Sequence, residues 1–195
     1  AGAFFGAQAF VPLMLVDQRG LGLTLAGLSL TTSSLGWFLG SWWQGRPDLT
    51  IHRDRLIIVG ALCAFIGLVL MTLTVTLPAP AIIAGLAWAI GGFGMGITIP
   101  AVNVWVLGMS SGEEQGANSA ALQLGDGAGV LTCTALAGVI YGIGTAPVGQ
   151  QQVTFLCIFV TMTAVGIVAI VAASRLSVVA PSVTQVSATE RVGDA

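Results

Sequence analysis

The chain reads as an all-α membrane protein of six crossing helices, and three observations predict it. Charged residues make up 7% of the 195 positions and hydrophobic ones 55%, whereas soluble domains carry about 25% charged residues. The mean hydropathy is +0.95, more apolar surface than a soluble core of this length hides. The few charges and turn residues also cut the sequence into apolar runs near the roughly 20 residues that cross a bilayer.

The first run covers about residues 2–16. It is short for a crossing, about 22 Å at 1.5 Å per residue against roughly 30 Å of hydrocarbon. Tilt, local thinning or an upstream turn has to supply the rest. The chain opens at Ala1 without Met, carries no signal-peptide pattern and is expected to continue from something longer. The second span covers about 21–43, the third 56–77 and the fourth 81–108, with Pro78, Ala79 and Pro80 as a tight turn between the last two. The fifth covers 115–144 and the sixth 149–174, while 181–195 has the polar composition of a disordered cytoplasmic tail.

Orientation follows from the arginines, which are the only Lys or Arg residues present. Arg46, Arg53 and Arg55 lie between spans two and three, and Arg175 and Arg191 follow span six; Arg19 alone lies on the other face. The positive-inside rule puts both termini in the cytoplasm. Trp42 and Trp43 suit the cytoplasmic interface and Tyr141 the outer one, whereas Trp37 and Trp88 fall too deep.

Asp126 is the most informative residue, because it is the only charged side chain in the 60 residues between Glu114 and Arg175. A central Asp costs roughly 2.5 to 3.5 kcal/mol on insertion scales, so such a residue faces a bundle interior, a water-filled cavity or a partner. At 100° per helical residue, Ser119, Gln123 and Asp126 fall within about 60° of one another, with Gln115 adjoining. This polar stripe is expected to line a cavity. Asp126 lies about 18 Å beyond Glu114 by helical rise, close to the midplane where carriers hold substrates and coupling ions. Burial disfavours the charged form of a carboxylate, the property a proton-carrying group needs. Proton coupling, substrate contact and simple interhelical pairing all fit these residues.

Gly92 and Gly96 in span four form a small-xxx-small pair suited to close helix packing. Pro100 can bend that span as a gate or be carried without consequence. Asn103 and Gln8 are amides deep in apolar sequence, where cavity lining and an interhelical hydrogen bond are both open. The run Thr31, Thr32, Ser33 and Ser34 is expected to bond to its own helix backbone.

Other classes fit poorly. Cys63, Cys133 and Cys157 lie singly in apolar runs without C-x-x-C spacing and read as small buried hydrophobes, so neither a disulfide framework nor a metal or other cofactor is expected. An intramembrane protease would need a serine with a histidine partner or paired acids, but His52 sits beside Arg53 in a loop and Asp126 has no acidic mate. Catalysis is not expected. Neither a channel filter nor a basic patch for nucleic acid is present.

A shift of 94 residues sets Ala26, Leu28 and Leu30 on Ala120, Leu122 and Leu124. Three matches in apolar sequence fit either chance or three helices repeated in opposite membrane orientation, as inside each half of many secondary transporters.

Particular residues also carry a family resemblance. Phe10-Val-Pro-Leu13, Arg19-Gly-Leu21, Ala26-Gly-Leu28, Leu35-Gly-Trp37 and Gly40-Ser-Trp-Trp-Gln-Gly-Arg46 resemble helices seven and eight of actinobacterial major facilitator superfamily transporters. Gly94-Met-Gly96, Pro100 and the run from Gly116 to Gly127, acid included, resemble helices ten and eleven of the same group. The similarity covers residues 1 to about 175, and it is the set rather than any one piece that carries it.

The resemblance implies the carboxy-terminal six-helix half, with a 3+3 inverted repeat, of a carrier in a bacterial plasma membrane. Such a carrier moves small, largely apolar molecules outward in exchange for protons, by rocking two halves about a central site. Its partners would be the lipid bilayer, an amino-terminal six-helix half or a second copy, a small-molecule substrate and protons. The family's cytoplasmic loop motif survives as Gly40, Arg46, Arg53 and Arg55, with Gln44 near the usual Asp; it would form a conformational latch or simply set topology. The antiporter signature belongs to the other half, so antiport rests on the resemblance alone. The alternative is a truncated or non-transporting six-helix membrane protein acting as an interaction subunit.

Overall fold

The computed structural model describes residues 1–47, 49, 51–77, 80–144 and 150–179. These residues form seven helices: α1 (Gly2–Gln8), α2 (Val11–Arg19), α3 (Leu23–Gln44), α4 (Arg53–Thr76), α5 (Ala81–Met109), α6 (Gln115–Gly144) and α7 (Gln151–Val179). No strand occurs among the described residues. Two residues of the expected Pro78–Pro80 turn, Gly149, and the tail with Arg191 lie outside them.

Among the described residues four helices, α4 to α7, are long and apolar enough to cross a membrane. Six were expected, and the two shortfalls have separate causes. α3 has 22 residues, but its serines, threonines and glutamine dilute its apolar character. The span expected over 2–16 is two helices, because Pro12 in the first turn of α2 has no N–H to give the Gln8 carbonyl four residues back. Ala9 and Phe10 keep right-handed backbone angles, so the break is a local interruption. α2 then ends at Gly20, whose φ of 62° is a left-handed cap that glycine adopts without strain.

α5 is the central helix, packed between α3 and α4, while α7 lies on α4 and α1 on α6. Glycine makes the first contact close. A Cβ on Gly92 or Gly96 would collide with the carbonyl oxygen of Ser33 or Trp37, and one on Gly36 or Gly40 with that of Ala89 or Phe93. The two backbones therefore touch through reciprocal glycine pairs, which is how helices associate where lipid removes the hydrophobic drive between them. On the opposite side of α5, Gly94 meets the backbone of α4 at Gly60 and Ala64, and Gly91 meets Gly67.

Large side chains fill the remaining interior. Trp88 is fully buried and stacks on Phe4 with ring centroids 4.5 Å apart, beside a cluster including Met14, Met71, Phe155, Phe159 and Met162. α6 differs from the others. Only 11% of its most apolar window is buried, against 56% in α5, leaving Leu124, Leu131 and Ile143 more than 70% exposed.

Candidate functional site

Asp126 lines a cleft of about 200 Å³ between α5 and α6. α5 contributes Thr98, Val102 and Asn103, and α6 contributes Leu122, Gln123 and Asp126. The three-to-five-residue spacings put each set on one helical face. Asn103, Gln123 and Asp126, read separately from the sequence, thus meet at one place. The Asp126 side chain is 42% exposed, and the Ala1 amino nitrogen stands 3.8 Å from its Oδ1, beyond the 2.7–3.2 Å of a hydrogen bond. Among the described residues no Arg or His pairs with it.

A larger apolar cavity, about 460 Å³, adjoins the cleft and shares Ala1, Thr98 and Val102 with it. Its walls come from α1, α4, α5, α6 and α7, including Phe65, Met95, Cys133 and Ala169. Thr98 stands at the junction with its hydroxyl already given to the Gly94 carbonyl at 2.8 Å.

Other sequence-derived residues fall elsewhere. Ser119 is partly buried but is not among the residues lining the cleft, and Gln115 is exposed. Gln8 ends α1 beside the Pro12 break, also away from Asp126. Pro100 lies inside an uninterrupted α5. The Gly96 carbonyl, which lacks its usual donor because position 100 is proline, accepts a hydrogen bond from the Ser41 hydroxyl of α3 at 3.1 Å.

The expected cytoplasmic loop is shorter than its motif. Gly40 is buried in α3 against α5, and Arg53 and Arg55 belong to the first turn of α4, because that helix starts three residues earlier than its apolar run. Arg46 alone of the four lies in the connection, its guanidinium 3.8 Å over the half-exposed Trp42 ring. Arg53 donates to Gln44 Oε1 at 2.8 Å, tying the two helix ends together. The cysteines differ from expectation too: Cys133 is buried, Cys63 is partly so, and Cys157 is exposed on the outside of α7.

One polar cluster does not show in the sequence. At the end of α4 away from Arg53, Arg19 donates to the carbonyls of Thr74 and Leu77 at 2.6 and 2.5 Å, and Gln152 donates to that of Val75 at 3.1 Å. These side chains from α2 and α7 satisfy carbonyls that the end of a helix leaves without partners. Sequence alone makes Arg19 a topology charge; its separation along the sequence from the other arginines is the available signal of a further role.

Comparisons with family models, curated proteins and solved structures gave no match.

Proposed function

We propose that this chain is the carboxy-terminal six-helix half of a major facilitator superfamily secondary transporter, exporting small, largely apolar molecules in exchange for protons. The observation that carries the reading is the Asp126, Gln123 and Asn103 cleft between two helices of membrane-spanning length. Carriers concentrate their few intramembrane acids at such sites. On this reading Asp126 takes up and releases the proton, and Gln123 and Asn103 contact solute.

The packing supports a 3+3 repeat. If α1 with α2, α3 and α4 form one unit and α5, α6 and α7 the other, the first helix of each unit packs on the second helix of its counterpart, and the third helices pack together. The thinly buried α6 leaves a face for the other half. The arginine count favours cytoplasmic termini in a bacterial plasma membrane.

The test is transport by proteoliposomes holding the chain together with an amino-terminal six-helix half. Under an imposed pH gradient they should export a fluorescent lipophilic dye, and Asp126→Asn should insert normally yet lose the gradient dependence. Unchanged proton dependence in the variant removes the coupling role. Absence of transport would favour the non-transporting subunit.

A further inference from the structure

We infer that the polar cavity at the end of α4 away from Arg53 binds a zwitterion, with an ammonium and an anionic group close together in one small molecule or head group. The inference depends neither on Asp126 nor on transport. The cavity holds about 380 Å³ between α2, α4 and α7, at the small end of the roughly 300–1,000 Å³ typical of small-molecule pockets. Two opposite charges line it, Asp17 and Arg19, with Gln18, Gln151 and Gln152 beside them.

Each charge is held in place yet lacks an ionic partner. Arg19 is anchored through Nη2 alone, on the Thr74 and Leu77 carbonyls, so its Nε and Nη1 donors make no hydrogen bond among the described residues. Asp17 is exposed, with the Tyr141 hydroxyl as its hydrogen-bonding neighbour. Although they share one space, the two side chains pair neither with each other nor with another ionic group among the described residues. Gln18 Nε2 is a further buried donor without a partner among the described residues, and an acceptor in the cavity would satisfy it. These groups select against single charges. A lone anion would meet Asp17 and a lone cation Arg19, while a neutral polyol would forgo both charge-assisted bonds. A zwitterion accepts hydrogen bonds from Arg19 and donates one to Asp17 while adding no net charge. Its ammonium must carry N–H groups, because a quaternary nitrogen has none to donate to the carboxylate. Two sources share this chemistry, a free α-amino acid and a phosphatidylethanolamine head group.

The test is equilibrium dialysis of radiolabelled glycerophosphoethanolamine against the full chain in dodecyl maltoside micelles, with protein-free micelles subtracted. It should bind saturably, at least about tenfold more tightly than ethanolamine, dimethyl phosphate or glycerophosphocholine, as a charge-assisted bond at each end requires. Asp17→Asn should erase its advantage over dimethyl phosphate without weakening dimethyl phosphate itself, a selective change that misfolding does not produce. Arg19→Gln should erase the advantage over ethanolamine in the same selective way. Displacement by free alanine assigns the site to soluble amino acids, and displacement by phosphatidylethanolamine but not by alanine assigns it to a lipid; either result supports the inference. No saturable binding, equal binding of a singly charged probe, an unchanged preference in Asp17→Asn, or displacement by neither competitor would overturn it. Dialysis reads binding alone, so zwitterion binding without transport would defeat the transporter reading and leave this one standing.

Discussion

The hydroxyl of Ser41 replaces the backbone donor that Pro100 removes from Gly96. A proline inside a membrane-spanning helix leaves a carbonyl in an environment without water, and a neighbouring helix supplies the missing hydrogen. Ser41→Ala should therefore cost about 1 kcal/mol, the ordinary worth of such a bond. In a Pro100→Ala background, where the restored backbone N–H can bond to the Gly96 carbonyl, the same change should cost close to nothing. Thermal unfolding of the four proteins in detergent gives the coupling between the two positions; equal costs in both backgrounds would show that the bond is incidental.

The glycines of α5 separate packing from mere composition. Gly92→Ala and Gly96→Ala should each destabilise the bundle by about 1–3 kcal/mol, because the new methyl meets a backbone carbonyl of α3 rather than a movable side chain. Gly125→Ala on α6 meets nothing within 4 Å. It should be neutral or stabilising by up to about 1 kcal/mol through helix propensity. Melting temperatures of the three variants provide the comparison, and uniform losses would contradict the α3–α5 contact.

Arg19→Ala should fray the end of α4 by removing two charge-assisted hydrogen bonds. Because the site is partly open to solvent, the expected loss is about 1 kcal/mol, at the low end for bonds to charged groups. Hydrogen exchange should quicken at the amides of the last turn before Leu77 and remain unchanged in α5.

Trp88 is fully buried, and its Nε1 has no partner among the described residues. Trp88→Phe loses some volume but also removes an unsatisfied donor, so it should cost under about 1.5 kcal/mol. Trp88→Ala creates a cavity beside Phe4 and should cost about 3–5 kcal/mol. Chemical or thermal unfolding distinguishes the two, and similar losses would indicate an overlooked partner for the indole.

Much of this is legible in the sequence, because long apolar runs with few charges leave little choice but long helices. Apolar run length places α5 and α6 to within a residue or so, and the lone charge of Asp126 points to the helix face that meets Asn103. What escapes depends on partners distant in the chain. Pro12 breaks the first span although Pro100 does not break the fourth, and the difference lies in α3, which supplies Ser41 and glycine contacts to α5. Helical periodicity groups Ser119 with Asp126, but of that polar stripe Gln123 and Asp126 alone line the cleft, because the approach of α5 limits the lined part of α6. Arg53 and Arg55 read as loop because charge marks the membrane boundary, whereas the α4 hydrogen-bond ladder continues past it.

The most direct test is water access at Asp126 in intact membranes. With Cys63, Cys133 and Cys157 replaced by Ala, Asp126→Cys and Leu124→Cys place a thiol on nearly opposite sides of α6, and a membrane-impermeant maleimide reports which side is wet. Rapid labelling at 126 and none at 124, where the native leucine is 75% exposed and, in the chain inserted without another half, expected to face acyl chains, is the outcome that a polar cleft within a lipid-embedded bundle requires. Labelling at 124 as fast as at 126, or at neither position, would contradict it.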